Sequence, residues 1–188
     1  MDLFGIFSAF GLSASAGLNA YIPLLVLALL GKFTGLIHLE EPWSALTSWW
    51  IIALLVILSL IEFFADKIPL VNHVNDIIQT IVRPAAGAIV FAASAQAVTH
   101  VNPILALALG LVVAGSVHGV KSVVIRPAVT ATTAGAANVP VSMLEDTLST
   151  VVSVISVVLP VLIGCILVMF TAWVVWRLWR RARRATTP

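Results

Sequence analysis

Residues 148–176 read LSTVVSVISVVLPVLIGCILVMFTAWVVW and contain no charged side chain. Since roughly 20 apolar residues suffice for a helix to cross a bilayer, this stretch predicts membrane-spanning helix. Four further apolar stretches precede it, at residues 3–30, 49–61, 84–98 and 103–117. The 188-residue chain is 61% hydrophobic and 10% charged, with a mean hydropathy of +1.11, whereas soluble domains are about half apolar and a quarter charged. The sequence therefore excludes a soluble globular protein and predicts an all-α, polytopic transmembrane helical bundle.

The apolar stretches also set the expected number of membrane spans. Residues 123–137 are apolar but short, and they carry Arg126-Pro127 near their start, which is typical of a broken or re-entrant helix. We therefore expect five to six spans with broken or re-entrant helices, in a single transmembrane domain over residues 1–176. The first apolar run lacks the basic start of a secretory signal, so we expect a retained helix there.

A basic tail at residues 177–188 follows the last apolar run. It holds five of the ten Lys and Arg residues, and without those five the net charge of +2 becomes −3. Because positive residues beside membrane spans stay on the cytoplasmic side, we expect a multi-pass protein of the cell (inner) membrane with its C-terminus in the cytoplasm. The body of the chain lacks the basic face that nucleic acid needs. Cys165 is the only cysteine, which excludes an internal disulfide.

Two short segments of the chain have similar sequences. Residues 81–85 (IVRPA) and 124–128 (VIRPA) both place an apolar pair before Arg-Pro-Ala, and Ala-Gly pairs recur at residues 16–17 and 114–115. Interrupted helices in corresponding halves are typical of transporters built from an internal (inverted) repeat. Chance in an Ala-, Val- and Gly-rich chain explains the same similarity, and both interpretations stay open.

Residues 62–84 (EFFADKIPLVNHVNDIIQTIVRP) hold six of the seventeen Asp, Glu, Lys, Arg and His residues that precede the basic tail. Glu62 and Asp66 are four residues apart and share a helix face, and we expect that helix to end near Pro69. A new helix is predicted from Asn72 to residue 82, before Arg83-Pro84.

On this second helix, Asp76, Gln79 and Arg83 recur at intervals of three and four residues and form one polar stripe. Ionisable groups at membrane depth face the bundle interior and pair with one another, which predicts an internal Asp76–Arg83 pair. The other interpretation is an amphipathic helix lying at the membrane interface.

Two further segments carry candidate site residues. His118, Ser122 and Arg126 follow helical spacing, with Lys121 beside them. These cations are predicted to hold an anionic group or to neutralise interior carboxylates, while snorkelling to the interface is the structural alternative for Lys121 and Arg126. Asn19 precedes Pro23, and since proline frees a backbone carbonyl near residue 19, this point is a candidate for coordination.

The metal and helix-cap assignments have weaker support in the sequence. His73 and Asp76 share a helix face and are the only weak metal candidates, because no His-Glu-x-x-His or similar spacing supports them. We expect no bound metal or cofactor. Glu145 and Asp146 are predicted to cap the N-terminus of the last long helix, where acids suit the helix dipole.

Several of these motifs together resemble a known family. The chain resembles the bacterial integral-membrane family called domain of unknown function 4126 (DUF4126). The resemblance rests on GLNAYIP (17–23), EFFADKIP (62–69), HVND (73–76), VRPAAG (82–87), HGVK (118–121) with Arg126, and Glu145-Asp146. It implies an integral membrane protein without an assigned activity.

The leading functional hypothesis is a small secondary transporter or channel-like permease for a small ion or anionic solute, because charge is concentrated beside broken helices. The predicted pathway residues are Asn19, Glu62, Asp66, Asp76, Arg83, His118, Lys121 and Arg126. A non-catalytic lipid-binding or scaffold protein is the alternative, and an intramembrane metal-dependent hydrolase acting on a lipid-linked substrate is a third. The expected partners are membrane lipids, a small ion or solute and further copies of this chain, because so short a chain makes a thin bundle.

Overall fold

A computed structural model describes residues 2–96 and 101–185, except for the side chains of residues 2–3, 69–74 and 182–185. Within this part the chain is helical, without a β-strand. The eight α-helices are α1 (Asp2–Leu18), α2 (Tyr21–Phe33), α3 (Trp49–Ala65), α4 (Pro69–Gln96), α5 (Pro103–Val120), α6 (Arg126–Thr133), α7 (Asn138–Val158) and α8 (Pro160–Ala185). A 3-10 turn (Trp43–Thr47) precedes α3, and a π-helical turn (Lys121–Ile125) joins α5 to α6.

Four helical segments are long and apolar enough to cross a membrane. They are Asn75–Gln96, Pro103–Thr133, Asn138–Val158 and Pro160–Arg181. The apolar helices Phe4–Leu18, Tyr21–Phe33 and Trp49–Ala65 are shorter. Large apolar side chains are exposed along α3, α5, α7 and α8, as expected where lipid rather than water surrounds a bundle. The prediction of an all-α membrane bundle is confirmed.

Two apolar runs that read as continuous in the sequence are each divided into two helices. The first run breaks at Asn19-Ala20, between α1 and α2. The last run breaks at Leu159, because Pro160 has no N–H to continue the backbone ladder of α7. A proline does not always have this effect, since α4 continues through Pro84.

The predicted helix from Asn72 to residue 82 was therefore wrong at both ends. The observed helix begins at Pro69, which suits the first turn of a helix because no backbone N–H is needed there. It then runs past Pro84 to Gln96 as one membrane-length element. A membrane helix tolerates an internal proline because the other backbone hydrogen bonds are strongly favoured where water is absent.

The segment expected to be broken or re-entrant continues α5 through the π-helical turn into α6, and the chain then reverses at Ala134 and Gly135. Both of these residues have left-handed backbone angles, with φ of 51° and 87°. The π-helical turn also sets side-chain direction, because it spaces backbone hydrogen bonds five residues apart. Lys121 and Arg126, which are five residues apart, are consequently both buried.

Small residues bring α4, α5 and α1 close together at the centre of the bundle. A Cβ atom added to Gly17 would lie 2.6 Å from the carbonyl oxygen of Ala114, and one added to Gly110 would lie 2.6 Å from Cβ of Phe91. The Ser13 hydroxyl donates to the Gly110 carbonyl at 2.8 Å across this contact. Such close approach lets helices associate in lipid, where no hydrophobic driving force acts between them.

Serine side chains join α1 to α7 in a second polar contact. The Ser15 hydroxyl lies 2.8 Å from the hydroxyl of Ser149 and 2.7 Å from that of Ser153. All three side chains are fully buried. Because hydroxyl groups in hydrocarbon must find partners within the protein, these bonds fix the register of the two helices.

The close helix crossing leads to a stability prediction. We expect Gly110→Ala to lower the free energy of unfolding by about 1–3 kcal/mol, because the added methyl group would overlap the backbone of α4 near Ala88 and the side chain of Phe91. Gly115→Ala on the same helix is the matched control, since its added methyl would lie 3.7 Å from the Pro84 ring. Thermal unfolding in detergent measures both variants. Equal melting temperatures for the two would contradict the close crossing.

Candidate functional site

Charged and polar side chains converge near the break between α1 and α2, where the end of α3 and the third turn of α7 meet it. We call them the buried charge network. Its members are Asn19, Glu62, Asp66, Arg83, His118, Lys121, Arg126, Glu145 and Asp146. All except Asp146 are buried, and Arg83 is 0% exposed. Charges at this depth require partners in the protein, because water and ions do not compensate them.

Arg83 lies at the centre of the first half of the network. Its Nη2 atom donates to Glu62 Oε1 at 2.8 Å, which links α4 to the last turn of α3. Its Nη1 atom lies 3.2 Å from Nδ1 of His118 on α5. A guanidinium group only donates, so His118 Nδ1 accepts and carries no proton. The proton of the neutral imidazole is then on Nε2, which lies 3.4 Å from the hydroxyl of Thr80.

The second half of the network pairs two cations with two carboxylates. Glu145 Oε2 lies 2.8 Å from Lys121 Nζ and 2.9 Å from Arg126 Nη2. Arg126 Nη2 also lies 3.3 Å from Asp66 Oδ2. These contacts join the π-helical turn to α7 and to the end of α3. Asp66 is held further by the Ser142 hydroxyl at 3.1 Å.

The break between α1 and α2 is part of the same network. Lys121 Nζ donates to the carbonyl of Leu18, the last residue of α1, at 3.0 Å. The Asn19 side-chain oxygen accepts from the backbone N–H groups of Tyr21 and Ile22, both at 3.1 Å, and so caps α2. The Asn19 amide nitrogen donates to Asp146 Oδ1 on α7 at 2.9 Å. Asn19 therefore couples the helix break to α7.

The structure brings seven of the eight predicted pathway residues together. They are Asn19, Glu62, Asp66, Arg83, His118, Lys121 and Arg126. Asp76 is the exception, because it is partly exposed and forms no ion pair with a described side chain. The predicted Asp76–Arg83 pair is wrong. Glu62, in the last turn of α3, is the partner of Arg83.

The predicted helix-cap role of Glu145 and Asp146 is also wrong. Helix α7 begins at Asn138, so both acids lie about two turns inside it, beyond the reach of its N-terminal N–H groups. The sequence does contain a signal for their burial. Polar residues repeat every three or four positions along this helix, at Ser142, Glu145, Ser149, Ser153 and Ser156. That spacing forms one face, and all five residues are buried.

The metal assignment falls partly outside the described side chains, because His73 is among those not described. Among the side chains that are described, no three His, Cys, Asp or Glu residues are grouped so as to hold a metal ion. The similarity between residues 81–85 and 124–128 has a structural counterpart, since both of their arginines, Arg83 and Arg126, are buried with carboxylate partners. An internal repeat remains a prediction.

Several buried polar atoms in the network and on the neighbouring residue Gln79 have no hydrogen-bond partner among the described residues. They include the acceptor atoms Glu62 Oε2, Gln79 Oε1 and Asp146 Oδ2, and the donor Nε of Arg83. Glu62 and Gln79 are each 1% exposed. Unpaired acceptors at this depth are costly, and a bound ion or water is one of the explanations for them in native proteins. Gln79 was not among the predicted pathway residues, although the stripe of Asp76, Gln79 and Arg83 contained it.

These features define a helical membrane protein with an ionised interior beside a broken helix. Comparison with protein families makes the assignment specific: the family described as "Domain of unknown function (DUF4126)" matches residues 6–181. The chain belongs to this family, as the sequence motifs predicted. No curated protein matches it, and no solved structure matches it.

The Glu62–Arg83 pair gives a prediction about the stability of the network. We expect Glu62→Gln to destabilise the protein by about 3–5 kcal/mol, because it leaves a buried guanidinium group without its counter-charge. The double variant Glu62→Gln/Arg83→Met removes both charges and should regain most of that loss. Unfolding in detergent measures the three proteins against Glu41→Gln, an exposed acid in the loop before α3. If the single and double variants are equally unstable, the pairing is not what makes Glu62 important.

Proposed function

We propose that this protein is a small secondary transporter or channel-like permease for a small ion, and that the buried charge network forms its binding site. The observation that carries the proposal is the number of ionised side chains within apolar helices at one helix break. Ionisable residues at membrane depth are costly, and they typically mark ion pathways or proton relays. A protein that served only as a membrane anchor would gain nothing from this cost.

The helix break supports the same proposal. Transporters bind their cargo where discontinuous helices present backbone ends and side-chain oxygens inside the membrane. Here the end of α1 presents the Leu18 carbonyl to Lys121, and Asn19 turns the chain into α2 while bonding to Asp146. A small change in the charge of this site would therefore act directly on the junction of two helices.

The pairing of the cations favours a positively charged cargo over an anionic solute. Arg83 is bonded to Glu62, and Lys121 and Arg126 are both bonded to Glu145. These side chains thus have the geometry of internal counter-ions. An anionic substrate would have to displace carboxylates that already hold the cations at 2.8–2.9 Å. A proton needs one oxygen without a hydrogen-bond partner and a metal cation needs several, and Glu62 Oε2, Gln79 Oε1 and Asp146 Oδ2 are such oxygens among the described residues.

A lipid-binding or scaffold role is the second candidate, and the last turns of α8 favour it. Arg177 lies over the ring of Trp173 at 5.0 Å, and Arg180 lies over Trp176 at 5.1 Å. These side chains are exposed. Tryptophan and arginine together suit the membrane interface and its anionic headgroups. We place this end in the cytoplasm at the inner membrane, and we expect several copies of so thin a bundle to assemble.

Ion flux into sealed proteoliposomes separates the two candidates. We expect the wild type to carry at least one ion of a panel of protons, monovalent and divalent cations and small anions. Asp66→Asn should reduce this flux by at least about tenfold, because it removes a carboxylate of the network while Arg126 keeps Glu145 as its counter-ion. The control Glu41→Gln should leave the flux unchanged, because Glu41 is exposed in a loop.

Neutralising the basic tail is the complementary variant. Arg177→Gln/Arg180→Gln/Arg181→Gln should retain flux in the same liposomes if the protein is a permease. No flux above that of empty liposomes, with folded protein and the whole panel, would rule out the permease. Loss of anionic-lipid retention in the tail variant would then favour the lipid-binding role.

Reporter proteins attached to the C-terminus test its cytoplasmic position. A fluorescent protein attached after Pro188 should fluoresce in cells, because it folds in the cytoplasm, and an alkaline phosphatase fused there should be inactive. The opposite pair of results would place the tail outside.

A further inference from the structure

We propose that Asp146 is the residue of the network that binds and releases a proton, so that the transported or coupling ion is H⁺. This inference rests on the proposed function, because it names the ion that the site would carry. It concerns a residue that sequence analysis assigned to a helix cap and that the structure places beside the helix break.

The contacts of Asp146 differ from those of the other interior acids. Glu62, Asp66 and Glu145 each lie within 3.3 Å of a guanidinium or ammonium nitrogen. Asp146 has no ion-pair partner among the described side chains. Its Oδ1 atom accepts from the neutral amide of Asn19, and its Oδ2 atom is buried without a hydrogen-bond partner in the described part of the chain.

The count of charged groups in the network also supports a proton on Asp146. The network contains four carboxylates, those of Glu62, Asp66, Glu145 and Asp146. Three basic side chains face them, those of Arg83, Lys121 and Arg126. One carboxylate is therefore in excess, and a bound proton on Asp146 would make the network neutral. In a low-dielectric interior a neutral cluster is strongly favoured.

The charged groups around Asp146 do not remove this excess. Lys67, at the end of α3, is partly exposed, and its ammonium group donates to the Phe63 carbonyl at 2.7 Å and lies over the Phe63 ring instead of pairing with a carboxylate. Lys121 approaches from the π-helical turn. Lys121 is already held by Glu145 and by the Leu18 carbonyl. From α6, Arg126 is held by Glu145. Of the remaining neighbours of α7, α1 carries no charged side chain among those described. Helix α2 carries Tyr21 and, at its far end, Lys32, which donates to the Thr47 carbonyl, and α8 carries only the arginines near its C-terminal end.

His118 is not a suitable carrier for the proton in this arrangement. Its Nδ1 atom accepts from Arg83, so a proton there would face the guanidinium group and break the contact. Asp146 Oδ2 can take a proton without displacing any hydrogen bond of the network. The imidazole thus contributes to the position of Arg83, and the carboxylate is free to titrate.

A proton fits Asp146 better than a metal cation does. A dehydrated metal ion needs several oxygen ligands, typically six or more for Ca²⁺ and about six for Mg²⁺, whereas a proton needs one. The side-chain oxygen of Asn19, the residue bonded to Asp146, is occupied by two backbone N–H groups of α2. Glu62 Oε2 and Gln79 Oε1 are further buried acceptors without a hydrogen-bond partner among the described residues.

Protonation of Asp146 would act on the helix break through Asn19. With Asp146 ionised, the bond from the Asn19 amide is charge-assisted, and with Asp146 neutral it is an ordinary hydrogen bond of roughly half the strength. The same Asn19 side chain caps α2. Gain or loss of one proton therefore changes the strength of the link between α7 and the junction of α1 with α2. This is the coupling between ion binding and helix movement that a transporter needs.

Infrared difference spectroscopy of the reconstituted protein between acidic and alkaline buffers tests this assignment. We expect a carbonyl band of a buried protonated carboxyl group in the wild type and in Glu41→Gln, and its loss in Asp146→Asn. The amide of Asp146→Asn keeps an oxygen for the Asn19 bond, so this variant should fold. Asn19→Ala is the second variant, and it should shift the band without removing it, because the carboxyl group loses its hydrogen-bond donor.

The outcomes separate this inference from the proposed function. A band that disappears in Asp146→Asn supports proton binding even if no flux is found, and the transport proposal then fails alone. Flux in the wild type together with an unchanged band in Asp146→Asn overturns the proton site and leaves the transporter. Saturable Na⁺-dependent thermal stabilisation of the wild type that is lost in Asp146→Asn also overturns it, in favour of a metal cation.

Discussion

Every charge buried in this bundle has to be neutralised by another part of the protein, and this requirement determines how the helices are arranged. Arg83 can be 0% exposed only because Glu62 reaches it from α3. Lys121 and Arg126 share the carboxylate of Glu145 on α7. Removing one member of such a pair leaves the other buried without a counter-charge, which destabilises the protein by several kcal/mol. The ion pairs therefore fix the relative positions of α3, α4, α5 and α7.

The same requirement explains two unusual local features. The π-helical turn between α5 and α6 places Lys121 and Arg126 on one side, although they are five residues apart and would diverge on a regular α-helix. The close crossing of α4, α5 and α1 at Gly17 and Gly110 brings the backbones near enough for the network to span them. Neither feature is needed for an apolar bundle of this length.

The apolar runs predicted the helical membrane fold, because hydrophobicity over roughly 20 residues depends on local composition alone. The partners of the charged residues were predicted less well. Asp76 and Arg83 lie two turns apart on one helix, and a rule based on spacing pairs them, but the observed partner Glu62 comes from another helix. Pro84 and Pro160 show the same limit. One lies within a helix and the other ends one, and the difference depends on tertiary packing.

The carboxylate of Asp146, which has no cationic partner among the described side chains, is the feature that structural stability explains least. A set of ion pairs that only fixed helix positions would be balanced, as the Glu62–Arg83 pair is in charge. Asp146 adds a carboxylate without a cationic partner, and Glu62 and Gln79 each leave one buried oxygen unpaired. Well-packed apolar residues at these positions would give an equally or more stable bundle. Unpaired acceptors beside a helix break are what a site needs if it is to be filled and emptied in turn, because a fully satisfied site would have no reason to bind a proton.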